Sequence, residues 1–162
     1  MIKECKNCDL LSSEEAVKLF VSGVLDTMER AVCAALFLLR PGEIFALKPE
    51  DLDWKTPKIT VRRTWKNFGS RGMILSPLKS NNPYYVPFPE FLQTVIKNLW
   101  EENGQHEFVF SLKNGTIPGP HWIRMRFNKW LSRAGIVLQK RWVTPYSLRR
   151  LYMRIANEVN LL

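Results

Sequence analysis

The chain has only three cysteines in 162 residues: Cys5, Cys8 and Cys33. That is too few for a disulfide framework, and a reducing cytoplasm is the expected compartment. Cys5 and Cys8 are separated by two residues, half of a zinc site, but no second Cys or His pair lies near them, so no metal is expected. Also absent are an apolar run of membrane-spanning length and the pattern of a secretory signal; neither a membrane nor export is indicated. Acid is missing from one long stretch and nearly so from another. Residues 54–89 hold seven bases (Lys55, Lys58, Arg62, Arg63, Lys66, Arg71 and Lys79) and no Asp or Glu. Residues 121–162 hold nine bases against one acid, Glu158, whereas residues 1–53 hold ten acids and six bases. The net charge of +9 is therefore concentrated in two segments, which points to a polyanion-binding face, with nucleic acid as the first candidate.

What is present is material for a core. Apolar residues make up 46% of the chain, which excludes general disorder, and the length suits one domain. The organising stretch is residues 31–53, AVCAALFLLRPGEIFALKPEDLD. Its first nine residues have no polar face, so a helix here is buried on all sides. The run ends at Arg40, and the Pro41 that follows disfavours helical geometry at Arg40 while being suited to open a new helix itself. Arg40 is thus expected at a break between two helices, with Glu43 as its ion-pair partner. A purely structural pair is the plain reading of those two residues taken alone.

Around this stretch, Ser12 and Glu15 form a capping-box pattern for a first helix, and Asp26 to Glu29 carry a related pattern leading into the buried one. Residues 48–53 read as a turn. Residues 58–65 are β-branched and partly alternating, a strand by composition, with a break at residues 69–72 and further short strands at 73–75 and 84–88. Together these predict a small antiparallel sheet with Lys79 near a hairpin. A loop lysine is ordinarily solvated; this one lies in the acid-free segment. Residues 89–102 form an amphipathic helix with Phe91, Leu92, Val95, Ile96 and Leu99 on one side. Residues 107–110 are a short strand or extended piece. Residues 120–134 are helical, ended by Gly135, with Ile123, Phe127, Trp130, Leu131 and Ala134 inward. Arg126, Lys129 and Arg133 recur on another stripe with Trp122, which suits a phosphate backbone or, equally, a solvated face. The last helix starts at Thr144-Pro145, with Leu148, Leu151, Tyr152, Ile155 and Val159 inward and Arg149 and Tyr146 together at the margin.

Three motifs in order, Leu39-Arg40-Pro41-Gly42-Glu43 with Asp51-Leu52-Asp53, then Lys79 before Val86-Pro87, then Thr144-Pro145-Tyr146-Ser147-Leu148-Arg149-Arg150, resemble the catalytic domain of tyrosine recombinases, the phage-integrase family. The resemblance spans about residues 11–160, with residues 1–10 as a linker or leader. It implies a mainly α fold with a small antiparallel β-sheet, an integrase-like α+β domain. It implies that Arg40 and Arg149 grip the scissile phosphate, that Glu43 orients them, that Lys79 protonates the leaving 5′ oxygen and that Tyr146 stands where a histidine or lysine is usual. Arg62, Arg63, Lys66, Arg71, Arg126, Lys129, Arg133 and Arg150 are the remaining candidates for contact with DNA. Double-stranded DNA is the implied partner, with other recombinase subunits on it as a further one. No cofactor, metal or membrane is implied, and the compartment is the cytoplasm of a prokaryotic or phage-type system, near the nucleoid.

This sequence also departs from the family pattern. Leu38 replaces a glycine, Tyr84 and Tyr85 stand where an arginine is common, and Arg150 takes a place more often histidine. The family's later histidine and histidine/tryptophan positions and its nucleophilic tyrosine fall beyond residue 162, so the resemblance implies a partial domain. Its parent would cut and rejoin DNA through a 3′-phosphotyrosyl intermediate. A non-catalytic DNA-binding remnant and a basic α+β domain with no DNA role are the alternatives.

Overall fold

A computed structural model describes residues 9–158. Six helices are present among them: α1 Ser13–Val21, α2 Thr27–Ala35, α3 Pro41–Ile44, α4 Glu90–Asn103, α5 Pro120–Arg133 and α6 Tyr146–Glu158. Five short strands lie between α3 and α4: β1 Leu52–Asp53, β2 Lys58–Val61, β3 Arg63–Asn67, β4 Met73–Pro77 and β5 Tyr84–Pro87. This is the expected mainly helical domain with a small antiparallel sheet. Most of the expected leader, including Cys5 and Cys8, lies outside the described residues, as does Val159. Asp9 is already tied to the domain: its N–H donates to the Trp142 carbonyl at 2.9 Å and its carboxylate accepts from the Trp142 N–H at 2.7 Å.

Local chemistry sets the helix ends. Ser12 and Asp26 are N-caps, and Glu15 and Glu29 close their capping boxes. The apolar run after Asp26 stays helical to Ala35, then tightens through turns to Leu39, with every residue from 31 to 39 buried except Phe37. Arg40 is extended (φ −77°, ψ 151°) and Pro41 opens α3, as the proline requires. At the other end of the domain Gly135 takes a left-handed φ of +66°. There the Ile136 N–H donates to Leu131 and the Gly135 N–H to Ser132, closing α5 in a Schellman turn.

The strands form one long antiparallel hairpin interrupted in its middle. β3 pairs β4 from Arg63↔Pro77 to Asn67↔Met73, and β2 pairs β5 from Lys58↔Pro87 to Val61↔Tyr84, with β1 on the outer edge of β2. Residues 58–65, expected as one strand, are therefore two. Between the ladders one arm has a single residue, Arg62, and the other makes an excursion over residues 78–83 that carries Lys79. Arg62, outside both ladders, turns its guanidinium to Asp51, with Nε to Oδ1 at 3.2 Å. Residues 107–110, expected as a strand or extended piece, are a run of bends. Phe108, Val109 and Phe110 are buried, but the Val109 N–H makes a single bond to the Leu47 carbonyl, at 2.8 Å, and no ladder.

The core is continuous from α1 and α2 through α3 to α4, α5 and α6, with Phe45, Phe88, Phe110, Phe127 and Trp130 its largest buried side chains. The β3–β4 ladder is seated on α3 by Gly42 and by the Trp65 indole, which donates to the Phe45 carbonyl at 3.0 Å. A Cβ at Gly42 would lie 2.5 Å from both Thr64 Oγ1 and the Trp65 carbonyl oxygen, so only glycine permits this approach. Gly42→Ala is expected to destabilise the fold by about 1–3 kcal/mol, the cost of overpacking. An unchanged urea midpoint would mean that β3 is not held against α3.

Candidate functional site

Glu43 stands third in α3 and is 3% exposed. Its Oε2 accepts the Arg40 backbone N–H at 2.9 Å and its Oε1 accepts Arg40 Nη1 at 3.2 Å. Arginine offers no side-chain acceptor in return, so only the carboxylate half of a capping box exists here. From the far end of the sequence, the first turn of α6 brings Arg149 to the same carboxylate, Nη1 to Oε2 at 3.6 Å. That start is set by Thr144-Pro145, whose carbonyls accept from the Ser147 and Leu148 N–H groups. Arg40 and Arg149, which the resemblance sets together, therefore meet at one carboxylate. The Arg40 side chain is 43% exposed and that of Arg149 21%, so Arg40 is the more open of the two.

Arg149 Nη1 is buried without a hydrogen-bond partner, since 3.6 Å exceeds hydrogen-bond reach. β5 contributes a further group that sequence reading treated only as a departure. Burial of the Tyr84 phenol, then the charge of the Glu43 carboxylate and the approach of the phenol O–H to it, push its pKa up to about 12, with Arg149 and Arg40 pulling the other way. Its hydroxyl is also buried without a bond of ordinary geometry. The cluster Arg40, Glu43, Arg149 and Tyr84 thus pairs two guanidiniums with one carboxylate and leaves Arg149 Nη1 and the Tyr84 hydroxyl without a bond of ordinary geometry. Lys79 is exposed on the excursion that ends where β5 begins, at Tyr84. Tyr146, half-buried, opens α6 three residues before Arg149.

The other candidate bases divide. Arg62 and Arg63 both bind Asp51, a carboxylate 2% exposed at the third position of the 3-10 turn Pro49–Asp51. Arg126 and Arg133 grip opposite oxygens of the buried Glu29, at 3.1 and 2.6 Å, and Arg126 also lies over the Trp122 ring, 4.8 Å from its centroid. The acid-poor segments are therefore not acid-poor in space: the first half of the chain supplies carboxylates to them. Lys66 lies on β3, Arg71 ends the 3-10 turn at the tip of the β3–β4 hairpin, and Arg150 is exposed on α6. Lys129 lines a shallow recess of about 410 Å³ with Pro118, His121, Trp122, Met125 and Arg126. Sequence reading identified Glu29 as a cap and missed its arginines. Its signal was available: an acid in a helix's first turn, just ahead of a fully apolar run, has to be paired if that run buries it.

Among the described residues no group of three or more His, Cys, Asp or Glu side chains is arranged to hold a metal ion, and no helix is long and apolar enough to cross a membrane. Cys33 is fully enclosed, and burial pushes its thiol up to about 12.

No protein-family model matches the sequence, and no curated protein does. Solved structures do resemble it. Tn1549 transposon integrase in complex with a circular intermediate DNA superposes with a TM-score of 0.72 at 17% identity, over 98% of this chain and 56% of that one. XerA recombinase gives 0.67 at 21% identity, over 92% and 50%. The lambda integrase catalytic core gives 0.63 at 13% identity, over 93% and 84%. The structural neighbours are tyrosine recombinase and integrase catalytic domains, and the chain has their fold. It spans about half the length of the Tn1549 and XerA proteins.

The ion pairs generate an acid sensitivity of known sign. A hydrogen bond from Arg141, above all, holds the Glu15 carboxyl below its ordinary 4.5. For Glu29, burial alone would raise it, but the approach of the Trp130 indole N–H, the Arg133 guanidinium and the Asp26 backbone together hold it low. Carboxyl groups depressed in the folded state contribute stability that is complete above about 4.5, the unfolded value, and is lost as pH falls through the folded one. The urea midpoint is therefore expected to drop between pH 6 and about pH 3, and by less in Glu29→Gln, whose midpoint is already lowered at pH 6. A Glu29→Gln variant with the parent's full pH dependence would show that this carboxylate does not titrate with folding.

Proposed function

We propose, from a fold shared with tyrosine recombinases and integrases, that this chain binds duplex DNA and seats one phosphodiester between Arg40 and Arg149. The convergence of those two guanidiniums on Glu43 carries the reading. In phosphoryl transfer charge gathers on the equatorial oxygens, and two fixed, planar, always-charged donors suit it. Glu43 orients both arginines and holds the local charge at a single positive unit, which one phosphodiester balances. Lys79, on the excursion beside β5, is the proposed donor of a proton to the leaving 5′ oxygen. Tyr146 is the proposed further contact at the start of α6. Lys66, Arg71, Lys129 and Arg150 are the proposed backbone contacts. Arg62, Arg63, Arg126 and Arg133 act first as ion-pair partners and reach DNA only with what their carboxylates leave exposed. The likeness to Tn1549 integrase in complex with DNA supports this reading.

In the tyrosine-recombinase reaction a tyrosine phenolate attacks phosphorus, the bond from phosphorus to the 5′ oxygen breaks, that oxygen departs with a proton from the hairpin lysine, here Lys79, and a 3′-phosphotyrosyl link is left. Among the described residues Tyr152 is the tyrosine that follows Arg149, and it is half-buried, packed against the core. It is not proposed as the nucleophile. The whole protein would act in DNA recombination and integration, of a mobile element or phage, with further subunits on the DNA and in a prokaryotic cytoplasm.

Binding to duplex DNA is expected to be weak, poor in sequence preference and steeply dependent on salt. Arg149→Gln should weaken it about tenfold and lower the slope of log affinity against log salt by about one. Affinity that survives high salt would exclude the phosphate grip as what holds DNA.

Chemistry is tested separately. A nicked suicide duplex should give no covalent adduct with residues 1–162, whereas DNA binding persists. An adduct mapping to Tyr152 or Tyr146 would overturn the assignment of roles, and absence of DNA binding altogether would leave Arg40 and Glu43 as a structural pair.

A further inference from the structure

A buried polar atom without a partner is uncommon, because it forfeits its bond to water and gains none in exchange. Among the described residues Arg149 Nη1 is such an atom beside Glu43, and the Tyr84 hydroxyl, buried with no bond of ordinary geometry, has at most a loose approach to the same carboxylate. Tyr84 arrives there through the hairpin: it is the first residue of β5, its pairing with Val61 is the last of that ladder, and it follows directly on the excursion bearing Lys79. Alternation along the strand sends its neighbour the other way. Tyr85 is 64% exposed, with the Lys58 ammonium over its ring. Glu43 already accepts the Arg40 N–H and an Arg40 guanidinium nitrogen.

We propose that the Tyr84 O–H is the third donor to the oxyanion held by Arg40 and Arg149, bonding a non-bridging oxygen of the phosphodiester as an uncharged contact. This rests on the phosphate-binding reading above. An oxyanion set against Arg149 and Tyr84 would give both a bond of ordinary geometry at once. A neutral donor also fits the charge balance, since two guanidiniums and one carboxylate already match a single phosphodiester charge. At neutral pH the phenol keeps its proton and can only donate to such an oxygen. Tyr84, which stands where the resemblance commonly has an arginine, thereby supplies a donor without adding a cation.

The probe is a fluorescein-labelled duplex of random sequence, titrated with the whole chain over a salt series, alongside thermal unfolding of each variant. Tyr84→Phe should weaken binding about three- to tenfold at every salt concentration with the slope unchanged, because a neutral hydrogen bond releases no counterion. Its Tm should stay level or rise, since the substitution removes a buried hydroxyl with no bond of ordinary geometry. Tyr85→Phe should bind as the parent does, and Arg149→Gln should lose both affinity and slope. If Arg149→Gln is weakened but Tyr84→Phe binds like the parent, Tyr84 is not a donor and the phosphate site stands. A lower Tm for Tyr84→Phe with unchanged affinity would likewise make the hydroxyl structural. If neither variant changes binding, the phosphate site itself is wrong and this inference falls with it.

Discussion

A carboxylate buried at the third position of a helix, gripped by arginine from elsewhere, is the constraint on which this structure turns. Glu29, Glu43 and Asp51 hold that position in α2, α3 and the 3-10 turn after α3, and all are almost inaccessible to solvent. Each accepts a backbone N–H from the residue three before it, at Asp26, Arg40 and Lys48. Each is also met by two arginines: Arg126 and Arg133, Arg40 and Arg149, Arg62 and Arg63. Glu15 repeats the arrangement in α1 with Arg141 alone. A buried carboxylate without these partners would be strongly unfavourable, and the positive end of the helix adds to what stabilises it. Seven arginines are so engaged, which is why a net charge of +9 does not translate into an unbroken positive surface.

Of these clusters, the one at Glu43 differs in having a guanidinium nitrogen to spare. Arg62 and Arg63 meet Asp51 at 3.1–3.2 Å and Arg133 meets Glu29 at 2.6 Å, whereas Arg149 stands 3.6 Å from Glu43 with a nitrogen unsatisfied. The scaffold makes that gap durable. Arg40 is fixed by the extended backbone that Pro41 imposes, Arg149 by the first turn of α6, and Tyr84 by its pairing with Val61. The interrupted hairpin lets the excursion bearing Lys79 leave the sheet without disturbing either ladder. Close approach of β3 to Gly42 sets the whole hairpin against the helix that carries Glu43.

The features legible in the sequence were those set within a few residues. Both capping boxes, the break at Arg40, the turn at Gly135 and the inward face of α5 follow from spacings of three or four, and the structure has them where the spacings place them. The convergence of Arg40 and Arg149 is a long-range fact that came from three ordered motifs and a resemblance, with no local signal to reveal it. Pairings across the chain were illegible for the same reason. Nothing in residues 121–134 says that Glu29 will lie beneath Arg126 and Arg133, so that stripe reads as free positive charge. Residues 58–65 read as one strand because propensity reports backbone preference and is blind to the interruption at Arg62. Residues 107–110 read as a strand or extended piece by composition, but a strand needs an edge to pair with, and composition does not contain one.

The separations along the chain also imply an order of assembly. The capping halves of these clusters span three residues, whereas Glu29 reaches its arginines across 97 and 104 residues and Glu15 reaches Arg141 across 126. Caps can close as soon as their helices form, but contacts that distant must wait for the chain to bring its ends together. Until then Glu29 and Glu15 are capped yet uncompensated and have to remain hydrated, whereas Glu43 already has Arg40 three residues away. Water therefore stays at the start of α2 until α5 docks. The N-terminal half is an unfinished surface that the C-terminal helices dry and complete, and the space between Arg40 and Arg149 comes into being only at that final step.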